Sequence, residues 1–358
     1  MKEKILYFSH IDWNWIKQRP QFIAEGLRNT FDVSVLFMFQ VRNRKNLQKR
    51  SYRKENAKPF FLIPFAGRFS VISKLNRVFT KLQFKYHLKK EKPDYLYITY
   101  PLQDEFLSEN CNCKIIYDCM DNYTALCPEF MYEKIFELEK SLVTKADYIL
   151  VSSNNLKLKL CERYGDFIES KISLVRNGYN GSILEADAKL PAENKEFVVS
   201  YIGTVGKWFD FDLLKKSLDD FPMLKYRIIG PVDTDVLMHD RIEYVGTVEH
   251  SKLYGTIKDT DCLIMPFVLN EIVEAVDPVK LYEYINYNMN ILCIKYDEIE
   301  RFEPFVHFYS DYDSYKEQIT SLIENNEIKY DSSARFEFLS SNGWISRVKT
   351  IEQVIYAE

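Results

Sequence analysis

Short apolar runs separated by helix-length amphipathic stretches recur along the whole chain, and this alternation sharply limits the folds open to it. In the first half the runs fall at residues 5–8, 33–37, 95–99, 115–117, 148–151 and 172–175. After a polar stretch over 185–196 they resume at 198–202, 226–229, 242–245, 262–265 and 291–294. Strands that are apolar throughout are buried on both faces, and the intervening helices supply that cover. Each half therefore reads as a parallel sheet in a doubly wound α/β domain. A length of 358 residues exceeds what one hydrophobic core organises, which gives a first domain over 1–184, a linker over 185–196 and a second domain from 197.

Hydrophobic residues make up 46% of the chain, enough for two cores, and exclude a disordered protein. Cys111, Cys113, Cys119, Cys127, Cys161, Cys262 and Cys293 have neither disulfide nor zinc spacing, as expected in a reducing cytosol. Cys111-Asn112-Cys113 lacks the second ligand pair of a metal site. The chain opens Met1-Lys2-Glu3-Lys4 and enters a strand at Ile5, with no room for a signal peptide, and no run of about 18 apolar residues predicts a membrane span. A cytoplasmic location is expected.

Charge is unevenly distributed. Residues 41–100 carry 16 Lys or Arg against Glu55, Glu91 and Asp94, a balance of +13 within a chain whose net charge is −4. Such asymmetry points to an anionic partner surface. Within it Ile72, Leu75, Phe79, Leu82 and Tyr86 recur at helical spacing, with Lys74, Arg77, Lys81, Lys85, Lys89 and Lys90 between them. One reading is a core-facing helix with a solvated basic face; another is a basic amphipathic helix docking on an anionic membrane. No nucleic-acid-binding motif accompanies it, so nucleic acid is not expected as a partner.

The motif that carries chemistry is Asp277-Pro278-Val279-Lys280-Leu281-Tyr282-Glu283-Tyr284, placed after the apolar run at 262–265. It reads as a helix opened by proline, with Lys280 in its first turn beside unpaired backbone amides, an arrangement that attracts a diphosphate. Glu283, one turn on, offers two oxygens to the hydroxyls of a ribose. The Pro-x-Lys-x-x-Glu-Tyr pattern, with Met265-Pro266-Phe267 before it, resembles the donor site of bacterial GT-B glycosyltransferases that build surface polysaccharides. The usual glycine after that helix is Asn288 here, a residue that tolerates the left-handed conformation. The carboxylate that retaining members place eight residues before Glu283 is Ala275, so that sugar contact does not carry over.

The resemblance implies a GT-B fold of two Rossmann-like domains facing a cleft, the second over 197–341, with a last helix over about 342–358 crossing back to the first. Arg176-Asn177-Gly178-Tyr179-Asn180 matches the turn out of the first domain, and Trp344 suits the crossover. It implies a donor site at Gly203, Lys207, Thr247, Val248, Pro278, Val279, Lys280, Leu281 and Glu283. Gly203 and Lys207 belong to the Gly-x-x-Gly-Lys loop after the first strand of the second domain. In the first domain it places His10, Asp12 and Arg19 at the acceptor side of the cleft. Asp118 and Asp121 follow the strand at 115–117; Asp118 is expected to cap local structure and Asp121 to face the cleft. Asp121 would be the base of an inverting transfer or would orient the sugar or acceptor in a retaining one, with Lys280 stabilising the leaving diphosphate.

The expected donor is a nucleotide-diphosphate sugar, a UDP-sugar by the habit of such pathways, and the acceptor a saccharide, lipid-linked at the inner face of the membrane. No cofactor or metal is expected; Asp233-Thr234-Asp235 spells a metal motif but sits in a loop rather than at a strand end. The competing readings are a sugar-nucleotide epimerase or hydrolase and a non-catalytic subunit that binds a partner or a membrane.

Overall fold

The computed structural model describes residues 2–13, 17–39, 57–62, 70–107, 112–184 and 196–357, the side chains of α2 only from Lys74 onward. These form two compact units, Met1–Asn177 with Trp344–Glu358, and Gly178–Gly343. Residues 185–195, most of the expected linker, lie outside the described residues, as do Cys111 and much of the basic segment before residue 70.

The first unit holds strands β1 (Lys4–Ser9), β2 (Asp32–Phe39), β3 (Ala57–Phe61), β4 (Tyr95–Ile98), β5 (Lys114–Cys119), β6 (Tyr148–Val151) and β7 (Ile172–Leu174). They form one parallel sheet in the order β3-β2-β1-β4-β5-β6-β7. Helices α1 (Arg19–Leu27), α2 (Ser70–Glu91), α3 (Tyr123–Leu126), α4 (Tyr132–Lys145) and α5 (Asn154–Tyr164) connect them. The strand order reverses between β1 and β4, and there the loops leaving the two strands diverge. In open parallel sheets this is the place for a ligand.

The second unit repeats the plan with β8 (Phe197–Ile202), β9 (Leu224–Ile229), β10 (Ile242–Gly246), β11 (Cys262–Met265), β12 (Asn290–Ile294) and β13 (His307–Tyr309). Their order is β10-β9-β8-β11-β12-β13, all parallel, with the reversal between β8 and β11. Its helices are α6 (Phe211–Asp220), α7 (His250–Thr256), α8 (Val279–Asn286), α9 (Tyr312–Glu324) and α10 (Ser332–Ser341). The chain then contributes α11 (Trp344–Tyr356) to the first unit's core, where Trp344, Val348, Ile351 and Ile355 are buried. Gly26 of α1 admits this helix: a Cβ there would lie 2.4 Å from Val348.

The sequence reading lacks β3 and β13. Both are edge strands of marginal pattern: β3 contains Pro59, which an edge tolerates, and β13 spans three residues. The larger departure is α2. Its inward face is Thr80, Phe84 and His87, with Phe84 stacked on Phe8 at 5.3 Å. The apolar series, which the core-facing reading would bury, points to solvent, with Leu75 60% exposed, Phe79 42%, Leu82 63% and Tyr86 59%; Ile72 precedes the described side chains. One aromatic ring, Phe84, anchors the helix where the core-facing reading assigns a whole stripe.

Candidate functional site

In the second unit the site grows from the gap between β8 and β11. These strands pair only through Cys262 with Val199 and Leu263 with Ser200, and diverge beyond. The Tyr284 hydroxyl fills the opening, accepting the Ile202 N–H at 2.9 Å and facing the Ile202 and Ile264 carbonyls at 3.3 and 3.4 Å. A buried tyrosine thus stitches two parting strands to α8 and fixes the rotation of that helix. Leu281, Tyr282, Tyr284 and Ile285 sit in the core, which leaves Lys280 and Glu283, three residues apart, on the other side of α8. The preceding loop is pinned by Arg301, which donates to the buried Asp277 carboxylate and, at 2.9 Å, to the Tyr282 hydroxyl. Past the helix, Asn288 takes the left-handed conformation at φ 56°, as the sequence suggests.

Lys280 lies across the exit of β8. Gly203, at φ 150°, has no side chain because that space belongs to Lys280: a Cβ would stand 2.1 Å from its Cε and 2.7 Å from its Nζ. Gly230, at φ 145° on the exit of β9, packs directly on the Gly203 carbonyl, where a Cβ would approach within 2.1 Å. The Lys280 ammonium also stands 5.8 Å above the Tyr201 ring. It has no hydrogen-bond partner among the described residues, and burial lowers its pKa while Glu283 partly restores it. Pro278 is the N-cap of α8, whose first amides have no intrahelical acceptor. A half-buried cation with spare donors, beside such a helix start, is chemically an anion seat.

Glu283 faces a cavity of about 420 Å³ within the second unit, lined also by Tyr179, His250, Ser251, Asn286 and Tyr287. His250 Nε2 stands 3.6 Å from the Glu283 carboxylate, which raises the imidazole pKa. That distance is longer than a hydrogen bond, so the carboxylate retains capacity for hydroxyl donors. His250, Tyr179 and Tyr287 carry no sequence signal of this role; only the folded chain brings them around Glu283.

The other expected donor residues divide. Thr247 and Val248 lead from β10 into α7, Thr247 exposed and Val248 packed partly on the core. Lys207 is exposed in the loop after β8, and Val279 is 36% exposed. Leu281 is fully buried and its N–H donates to the Pro278 carbonyl at 3.2 Å, so it offers a ligand nothing by its side chain. Gly206 accommodates Trp208, whose ring a Cβ would meet at 2.6 Å. Asp233 and Asp235 are exposed, and no metal-holding group of three His, Cys, Asp or Glu occurs among the described residues.

In the first unit, His10 follows β1 at the other strand reversal. Its N–H donates to Thr99 Oγ1 at 3.0 Å, its Nδ1 is 2.8 Å from the same oxygen, and its ring stacks on Tyr100. Burial lowers its pKa to about 4, so the imidazole is neutral at neutral pH. Asp12 is buried in the same loop. Arg19 is not presented to a ligand: it is 5% exposed and committed to Asp118 through Nε at 3.1 Å and a terminal nitrogen at 2.8 Å. Asp118 in turn caps nothing. It lies inside β5 and also accepts the Tyr97 hydroxyl at 2.9 Å, forming a buried ion pair that ties α1 to the sheet.

Asp121 stands in the turn after β5. That turn is held by Ser152 Oγ on the Met120 carbonyl at 2.9 Å, Cys119 Sγ on the Asp121 carbonyl at 3.6 Å and Arg163 on Asn122 at 2.6 Å. The Asp121 carboxylate itself accepts no hydrogen bond among the described residues. Burial raises its pKa to about 7, against the pull of Arg19 and with a further push from Asp118. A carboxyl poised near neutrality on a rigid turn suits proton transfer.

No protein-family model matches the chain, and no curated protein aligns with it. Solved structures do. The lipopolysaccharide outer core galactosyltransferase WaaB superimposes with a TM-score of 0.70 at 16% identity, covering 99% of both chains. Sucrose-phosphate synthase from Thermosynechococcus elongatus gives 0.73 at 14%, again over 99% of both. Anabaena HepE, solved with UDP and glucose, gives 0.69 at 13% over 99% of this chain and 100% of its own. Two parallel-sheet α/β units, each with its strand reversal, and likeness to these structures over the full length make this a GT-B fold.

Proposed function

We propose that the protein is a glycosyltransferase that moves a sugar from a nucleotide diphosphate to a saccharide acceptor. The observation that carries the reading is the Lys280 ammonium, unpaired by hydrogen bonds and seated on Gly203 at the β8/β11 reversal, with Glu283 one turn further along α8. Lys280 and the first amides of α8 take the diphosphate, Glu283 the ribose hydroxyls, and the cavity beyond Glu283 the base. Lys207 adds charge to the same loop. A UDP-sugar is the favoured donor, a choice supported by the UDP bound in the HepE structure.

The first unit serves the acceptor through His10 and Asp121. The acceptor oxygen attacks the anomeric carbon while the bond to the diphosphate breaks, and the leaving group departs with the electron pair onto the charge of Lys280. In an inverting reaction the acceptor proton passes to Asp121; in a retaining one the leaving diphosphate takes it and Asp121 orients the reactants. Lys280 and the helix amides fill the role that a metal has in other transferases. The acceptor is a saccharide of bacterial surface polysaccharide assembly, lipid-linked at the inner face of the membrane. The test is thermal stabilisation across UDP, dTDP, GDP, ADP and CMP, since a ligand bound by the folded state alone raises its melting temperature. A rise selective for one diphosphate and absent in Lys280→Ala supports the reading; no rise with any nucleotide overturns it.

A further inference from the structure

The outward face of α2 is unlike an ordinary solvent face. Leu75, Val78, Phe79, Leu82 and Tyr86 are each between 42% and 63% exposed and fall in one i, i+3, i+4, i+7, i+11 series. A row of large apolar side chains in water along a helix of 22 residues is a patch of the kind that marks a binding surface. Lys74, Arg77, Lys81, Lys85 and Lys89 follow the same helical path, are exposed, and form no ion pair among the described residues. The one acidic residue of the helix, Glu91, turns inward to Lys58 at 2.7 Å and Ser34 at 2.9 Å. The opposite side is firmly seated: Phe84 packs on Phe8 and Phe60, and Gln83 exchanges two 3.1 Å hydrogen bonds with the Phe61 backbone. The helix therefore cannot turn its apolar row inward without losing that anchorage.

We infer that this face of α2 docks on an anionic phospholipid surface, lying in the interface with its apolar row among the acyl chains and its lysines among the headgroups. The charge selects this occupant. Anionic headgroups neutralise the unpaired lysines while the acyl layer takes Leu75, Phe79 and Leu82, whereas a nucleic acid would leave the apolar row against phosphate. No helix among the described residues is long and apolar enough to cross a membrane, so α2 lies on the surface rather than spanning it. The surface deepens the lipid-linked acceptor reading. Its test needs neither donor nor acceptor, so its failure is separable from failure of the transferase reading.

The full chain is sedimented with vesicles of phosphatidylcholine alone and of phosphatidylcholine mixed with phosphatidylglycerol. The expected result is binding to the anionic vesicles only, weakened by salt and reduced about tenfold or more in Lys81→Gln/Lys85→Gln. Phe79→Ser/Leu82→Ser should lose binding while keeping its melting temperature, because both positions are exposed. Absence of binding to anionic vesicles overturns the inference, as does binding that neither double variant weakens. A wild-type dimer that Phe79→Ser/Leu82→Ser converts to monomer would assign the face to a second copy instead. Oligonucleotide binding lost with the lysines, with vesicles ignored, would assign it to nucleic acid.

Discussion

Asp121→Asn should remove activity and, above neutral pH, stabilise the fold. The side chains are the same size, and the carboxylate accepts no hydrogen bond that the amide would forfeit among the described residues. The folded-state pKa is raised from 3.8 to about 7, so unfolded chains release this proton at lower pH than folded ones. Stability from this group is full below the unfolded value and is lost as pH rises through the folded one. Integrating between about pH 5.5 and about pH 8.5 gives about 1.5 units of the linkage, or about 2 kcal/mol. The wild type loses that amount over the interval and the Asn variant does not. Paired thermal melts at the two pH values should show the variant's advantage widening toward alkaline pH, while its transfer rate falls about 10²–10⁴-fold if Asp121 is the base. A gap in melting temperature that stays constant with pH would refute the raised pKa. Unchanged transfer would remove Asp121 from the mechanism.

Gly203→Ala should act as a donor-site lesion without touching a charge, since the new methyl evicts Lys280 and strains a φ of 150°; UDP affinity by calorimetry should fall toward that of Lys280→Ala. Because burial lowers the Lys280 pKa, diphosphate affinity should decline at a pH below the ordinary lysine range, and a flat profile up to that range would oppose the assignment. Breaking the buried pair with Asp118→Asn leaves the Arg19 guanidinium short of its counter-charge and should cost about 3–5 kcal/mol by denaturant unfolding, far more than an exposed pair would. His10, with its pKa lowered to about 4, should remain neutral in an NMR titration through the ordinary imidazole range. Its linkage runs opposite to that of Asp121: stability present above pH 6.5 is lost toward about pH 4, so the two residues must be separated by single variants.

The sequence by itself determined the two parallel sheets, because strands buried on both faces must be apolar throughout and leave runs that stand out from the helices. It also determined the α8 motif, where a proline N-cap, Lys280 and Glu283 are contiguous and their helical spacing alone puts the two charges on one side. Asn288 was legible for the same local reason. Tertiary structure decided whatever depended on segments distant in the chain. Tyr284 stands in the sequence only as the last residue of the Pro-x-Lys-x-x-Glu-Tyr pattern; its role appears where β8 and β11 part around its hydroxyl. Gly203 reads as part of a phosphate loop, and only the fold shows that Lys280 occupies the space its missing side chain leaves. Arg19 reads as facing the cleft and Asp118 as a local cap, yet across 99 residues of sequence they neutralise each other. For α2 the periodicity showed that one side was apolar but not where that side would face. Helical spacing fixes which residues share a face, whereas the direction of the face is set by what the rest of the chain packs beneath it, here Phe8 and Phe60 against Phe84.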